Sequence, residues 1–180
     1  MKRKLIVAAA VVIILSILAY GTVAFWQAEG YAENIITTGS LSLDVHEETD
    51  NGQPFPEDGI KDVMPGQEVT KKVSVQNTGS GDMWVRMSVE ISVVDKEGKA
   101  LPTDVVSIGN LDTVNWTLKD GYYYYNKALK PAEMTPELFT TVNFAEDRVN
   151  EFRGCTTYVM VKAFGVQTAN NGDTAMTAKW

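Results

Sequence analysis

The chain has 180 residues, 44% of them apolar, and a formal net charge of −7 at pH 7. That length suits one domain of ordinary size, long enough to bury a core without metal or disulfide. The acidic balance, with no basic stripe, excludes nucleic acid and anionic lipid surfaces as partners. A lone cysteine, Cys155, excludes an internal disulfide.

Lys2, Arg3 and Lys4 precede an apolar run from Leu5 to Ala19. Thr22-Val23-Ala24 then supplies small side chains at the two positions a signal peptidase reads. The pattern predicts a signal helix within residues 1–24, cut after Ala24, with Thr22 and Ala24 as recognition residues and Phe25 as the first mature residue. The competing reading is an uncleaved anchor, because Leu5 to Trp26 just reaches across hydrocarbon. The shortness of the apolar run and its end at Gly21-Thr22 favour cleavage, so the membrane is a partner only through an uncleaved signal segment.

Residues 25–40 read as a mature N-terminal arm or first strand. From Phe25 to Ile36 the even positions Trp26, Ala28, Gly30, Ala32 and Ile36 are apolar or small, with Asn34 the exception. The odd positions include Gln27, Glu29 and Glu33. An extended segment of this kind adds a strand to a sheet edge, and Trp26, Ala28, Ala32 and Ile36 are the candidate donor-strand residues. On its own chain it is simply the first strand; on a neighbour the contact is head-to-tail, and repetition without closure gives a filament. The phase changes at Thr37-Thr38-Gly39-Ser40, where a kink would let the arm leave the domain.

Residues 41–180 alternate with period two almost throughout. Leu41, Leu43 and Val45 alternate with Ser42 and Asp44; Val69, Val73 and Val75 alternate with Thr70, Lys72 and Ser74. From Met83 to Val94 the odd positions are apolar and the even positions Trp84, Arg86, Ser88, Glu90 and Ser92 face water. Tyr158 to Val166 is apolar on both faces except at Lys162, which predicts a central strand. Pro65-Gly66 and Asp95-Lys96-Glu97-Gly98 mark turns, and Asn77-Thr78-Gly79-Ser80-Gly81 predicts a hairpin. Asp120-Gly121 is the strongest two-residue hairpin signal, since both central positions of a type I′ turn need positive φ. Thr135-Pro136-Glu137-Leu138-Phe139 predicts one capped helical turn with Pro at its first position. Together these predict a mainly β protein: an antiparallel β-sandwich, jelly-roll or Ig-like, preceded by the signal helix.

Catalytic chemistry is sparse. The sole histidine, His46, lies in His46-Glu47-Glu48-Thr49-Asp50, where Asp50 takes the place of the second histidine of a zinc-protease helix. No catalytic metal site follows from it. The acidic loop Glu47 to Asp62 holds Glu47, Glu48, Asp50, Glu57, Asp58 and Asp62, a set of hard oxygens for calcium, although the spacing fits no EF-hand and a solvated loop explains it. No other cofactor is implied. Cys155 leads into an apolar strand and reads as a small buried side chain. Alternation places two of Tyr122, Tyr123, Tyr124 and Tyr125 in the core and leaves two as an interaction patch.

The run Gly21-Thr22-Val23-Ala24-Phe25 followed by Ile36-Thr37-Thr38-Gly39-Ser40-Leu41 resembles the TasA and camelysin group of exported Firmicutes proteins, processed by a SipW-type signal peptidase. The similarity continues through Met64-Pro65-Gly66-Gln67-Glu68-Val69, Val75-Gln76-Asn77-Thr78-Gly79-Ser80, Trp84-Val85-Arg86, the four tyrosines and Ala163-Phe164-Gly165-Val166-Gln167. The resemblance implies a sandwich fold, and export to the cell surface or biofilm matrix. In the matrix-fibre branch it implies self-association by donation of the mature N-terminal strand. It also implies a SipW-type peptidase as partner. The expected function is a non-enzymatic structural protein, with a camelysin-like surface metallopeptidase and a tyrosine-bearing adhesin as alternatives.

Overall fold

The alternation between Met83 and Val94 produces the longest feature of the structure. In the computed structural model, which describes residues 40–57, 60–61, 64, 66–146 and 154–180, strand β5 (Met83–Val94) pairs antiparallel along its whole length with β11 (Thr156–Gln167), from Thr156 opposite Val94 to Gln167 opposite Met83. Met83, Val85, Met87 and Val93 point into the core and are at most 1% exposed, while Ser88, Glu90 and Ser92 lie on the other face. The ladder anchors a sheet of order β2 (Ile60–Lys61), β11, β5, β9 (Tyr122–Tyr125), β8 (Trp116–Lys119), with β6 (Ala100–Leu101) folded back onto the end of β5.

The second layer is built from β1 (Leu43–Glu48), β3 (Glu68–Thr70), β4 (Lys72–Asn77), β7 (Val106–Gly109) and β10 (Thr141–Phe144). β1 pairs with β4, and β3 pairs with β10, which pairs with β7. Only Lys71 separates β3 from β4. Backbone bonds from Leu138 N to Val73 O, Thr135 N to Val75 O and Ala132 N to Asn77 O carry residues 132–140 along β4 and into β10. The two patches therefore form one bent layer. Its Val73, Val75, Phe139 and Val142, all 0% exposed, pack on Val85, Met87, Trp116 and Val159 of the first sheet. Every strand pairing is antiparallel. The result is the expected antiparallel sandwich. The signal helix lies outside the described residues.

Turn chemistry behaves as read at two places. Asp120 (φ 51°) and Gly121 (φ 79°) form the β8–β9 hairpin, with Lys119 opposite Tyr122. Gly98 (φ 82°) closes the turn from β5 into β6, its N–H donating to Asp95 O.

Three expectations are corrected. The segment Asn77–Gly81 is not a hairpin: β4 and β5 lie in different sheets, and the chain arches across the core. The buried Asn77 side chain holds the arch, Nδ2 donating to Gly81 O and Leu129 O while Oδ1 accepts from Gly79 N. Thr135–Phe139 is irregular, with a bend at Leu138, rather than helical, because Thr135 Oγ1 accepts from Val75 N instead of capping a turn. β11 is buried on one face only. Its even residues Tyr158, Met160 and Phe164 are exposed, since nothing among the described residues covers that face near Tyr158 and Met160.

Candidate strand-acceptor cleft

β11 is bonded along one side to β5, but on the other side only Thr156 and Thr157 have a partner strand, the short β2. Along residues 158–167 that edge has no partner strand among the described residues. The N–H and C=O groups along such an edge are a template for another strand. Between residues 157–162 of β11 and β1 runs a cleft of about 540 Å³, lined by Val45, Phe55, Ile60, Val159 and Val161 among others.

Polar residues share the lining, Glu47, Glu57, Thr157 and Lys162 among them, and one charged residue of it is buried. Lys71, between β3 and β4, is 2% exposed, and its Nζ lies 2.7 Å from Glu47 Oε2. The ammonium also sits 4.1 Å from the centre of the Phe55 ring. Phe55 reaches it because the chain turns tightly after β1: Thr49 N bonds Gln53 O, Phe55 N bonds Glu47 O, and Gly52 takes φ 68°. Lys71 was missed in the sequence, although a signal was present: it falls in the same odd phase as Val69, Val73 and Val75.

The opposite face of the β5–β11 sheet carries a second cluster. Trp84 and Tyr124 are covered by Ala175 and Trp180. The Arg86 guanidinium lies 4.0 Å from the Tyr122 ring centre and 4.4 Å from that of Trp180. The two outward tyrosines are thus part of a packed cluster: Tyr124 is 7% exposed, and Tyr122 meets Tyr124 and Phe164 edge-on. That removes Tyr124 from any adhesive surface. Tyr123 and Tyr125 face the main core, and burial pushes both phenols up from their ordinary range.

Other residues singled out in the sequence do not converge. His46 Nε2 pairs with Gln76 Oε1 at 3.2 Å, Glu47 is engaged by Lys71, and Asp50 lies 4.0 Å from Lys72. Asp58 and Asp62 of the acidic loop lie outside the described residues. Cys155 is half-buried, and burial raises its thiol. Thr22, Ala24, Phe25, Trp26, Ala28, Ala32 and Ile36 all lie outside the described residues.

The described residues thus define an antiparallel β-sandwich in which one sheet edge has no described partner strand and lies beside a cleft of mixed apolar and charged lining. The chain belongs to the camelysin metallo-endopeptidase family, whose model matches residues 1–145. Comparison with curated proteins gives no match. The family's description implies a metal, and the described residues do not fit one: no three of their His, Cys, Asp and Glu side chains come together. The sole histidine is already bonded to Gln76.

Proposed function

We propose that the chain is an exported, non-enzymatic structural subunit of the cell surface or extracellular matrix. A SipW-type signal peptidase cuts after Ala24, and each mature copy lends its segment 25–36 to the next. The observation that carries this reading is the edge of β11 along residues 158–167, without a partner strand among the described residues and bordered over residues 157–162 by a cleft whose lining includes Val45, Phe55, Val159 and Val161. An extended arm with an apolar even face suits such an edge: its backbone completes the ladder, and Trp26, Ala28, Ala32 and Ile36 enter the cleft. Because donor and acceptor are different surfaces of one chain, the contact is head-to-tail and propagates.

The test is to purify the mature protein and image it by negative stain, alongside N-terminal sequencing of the exported form. Deleting residues 25–32 abolishes polymer and leaves the sandwich folded. A mature chain that stays monomeric under all conditions ends this reading.

The family's description favours a second reading, a surface metallo-endopeptidase. Casein cleavage and metal content, each measured for the wild type and for His46→Ala, decide it. Activity lost with His46 and accompanied by bound metal supports the peptidase.

A further inference from the structure

The cleft beside β11 is lined by apolar side chains together with Glu47, Glu57, Lys71 and Lys162, and of these charges only Lys71 is buried below the surface. Lys71 is 2% exposed and faces the cleft together with Glu47. An ammonium is tolerated at such depth only where its N–H groups are satisfied. It has three to place. One goes to Glu47 Oε2 and the Phe55 ring lies against another side, and Glu47 is the one hydrogen-bonding partner of Nζ among the described residues. Glu47 Oε1 likewise accepts no hydrogen bond from a described residue. The pair therefore presents one donor and one acceptor side by side to whatever fills the cleft.

The arm carries a matching group. Its even face is apolar or small at Trp26, Ala28, Gly30, Ala32 and Ile36, and polar only at Asn34. A carboxamide offers an acceptor oxygen and donor N–H groups in one plane. We infer that Asn34 of a second copy docks on the Lys71–Glu47 pair, its Oδ1 accepting from Lys71 Nζ and its Nδ2 donating to Glu47 Oε1, so that this contact sets the register of the lent strand. The inference rests on the strand-exchange reading above.

Register needs such a device. The backbone ladder alone accepts any slip of two residues, since that keeps the same face inward. A slip here brings Ala32 or Ile36 against the buried pair and moves Asn34 among Val45, Val159 and Val161. Both changes strand polar groups against apolar side chains. A single buried Asn fixes register in coiled coils by the same logic.

The experiment uses the mature full-length chain and reads the critical concentration for polymer by sedimentation. Asn34→Ala raises it about ten-fold, the expected cost of losing a buried hydrogen bond to a charged group. The substitution lies in the arm, so the sandwich melts at the wild-type midpoint. In a Lys71→Met, Glu47→Leu background the preference inverts, and Asn34→Leu gives the lower critical concentration. If that background does not fold, the comparison in the native cleft decides alone. An unchanged critical concentration for Asn34→Ala, with polymer still abolished by deleting residues 25–32, overturns the register contact and leaves strand exchange standing. Polymer that survives the deletion, or a wild type that stays monomeric, overturns both.

Discussion

The Arg86 guanidinium lies under the indole of Trp180, its carbon 4.4 Å from the ring centre, with Tyr122 4.0 Å away. Trp180 is itself tied down by its Nε1–H donating to Ala175 O and by edge contact with Tyr124. The segment after β11 is thereby folded back over the outer face of the sheet, with Ala175 buried at 2% exposure. Removing the indole loses apolar contact and a cation–π partner together. Trp180→Ala is expected to lower stability by about 2 kcal/mol. A urea midpoint equal to that of the wild type shows that this segment contributes nothing to the fold.

Asn77 is 0% exposed and holds the arch between the two layers. Its carboxamide bonds Gly81 O, Leu129 O and Gly79 N, all at 2.9 Å. Asn77→Leu orphans those backbone groups inside the molecule. The expected loss is about 3 kcal/mol, read as a shift in the chemical denaturation midpoint at unchanged slope. Asn77→Asp keeps the acceptor and loses both donors, so it is destabilising as well.

Gly121 and Gly81 provide a matched comparison. An added Cβ meets nothing within 4 Å at either position. Gly121 sits at φ 79°, the left-handed region that L side chains avoid, whereas no such φ occurs at Gly81. Gly121→Ala therefore costs about 1 kcal/mol through backbone strain alone, and Gly81→Ala is close to neutral. Equal thermal midpoints for the two variants remove the type I′ requirement at the β8–β9 turn.

Asp112 is held below its ordinary carboxylate range, first by the side-chain hydrogen bond from Asn115, then by the Asn115 and Val114 backbone N–H groups. A depressed folded-state value contributes stability above the unfolded value, lost as pH falls through the folded one. The contribution is therefore present at neutral pH and disappears only in acid below the ordinary Asp range. Asn115→Ala is expected to move the Asp112 titration upward, followed by its side-chain carboxyl resonance in NMR. An unmoved titration shows that the Asn115 carboxamide is not its main cause.

Much of the sandwich was legible because alternation and turn chemistry are local. Odd-in, even-out order in Met83–Val94 depends only on the pleat, and positive φ at Asp120-Gly121 depends only on those two residues. Local signals failed where the decision was not local. Asn77–Gly81 has the composition of a hairpin loop, but the partners of β4 and β5 were decided by which faces had to meet across the core. Thr135-Pro136 offers a helix start, but Val75 N supplied a competing donor from far along the chain. Trp84, on the outward face by alternation, looked wet until Ala175 and Trp180 folded over that face.

The candidate site divides in the same way. The arm's apolar even face, the β class and the family resemblance were readable from the chain alone, and the export signal is an expectation drawn from it. Each rests on near neighbours or on motif order. Folding was needed to reveal that β11 has a long edge without a described partner strand, that β1 lies across a cleft from it, and that Lys71 is buried there against Glu47 and Phe55. Those facts depend on which strands become neighbours. That is set by packing two apolar faces together, a long-range condition that no single segment records.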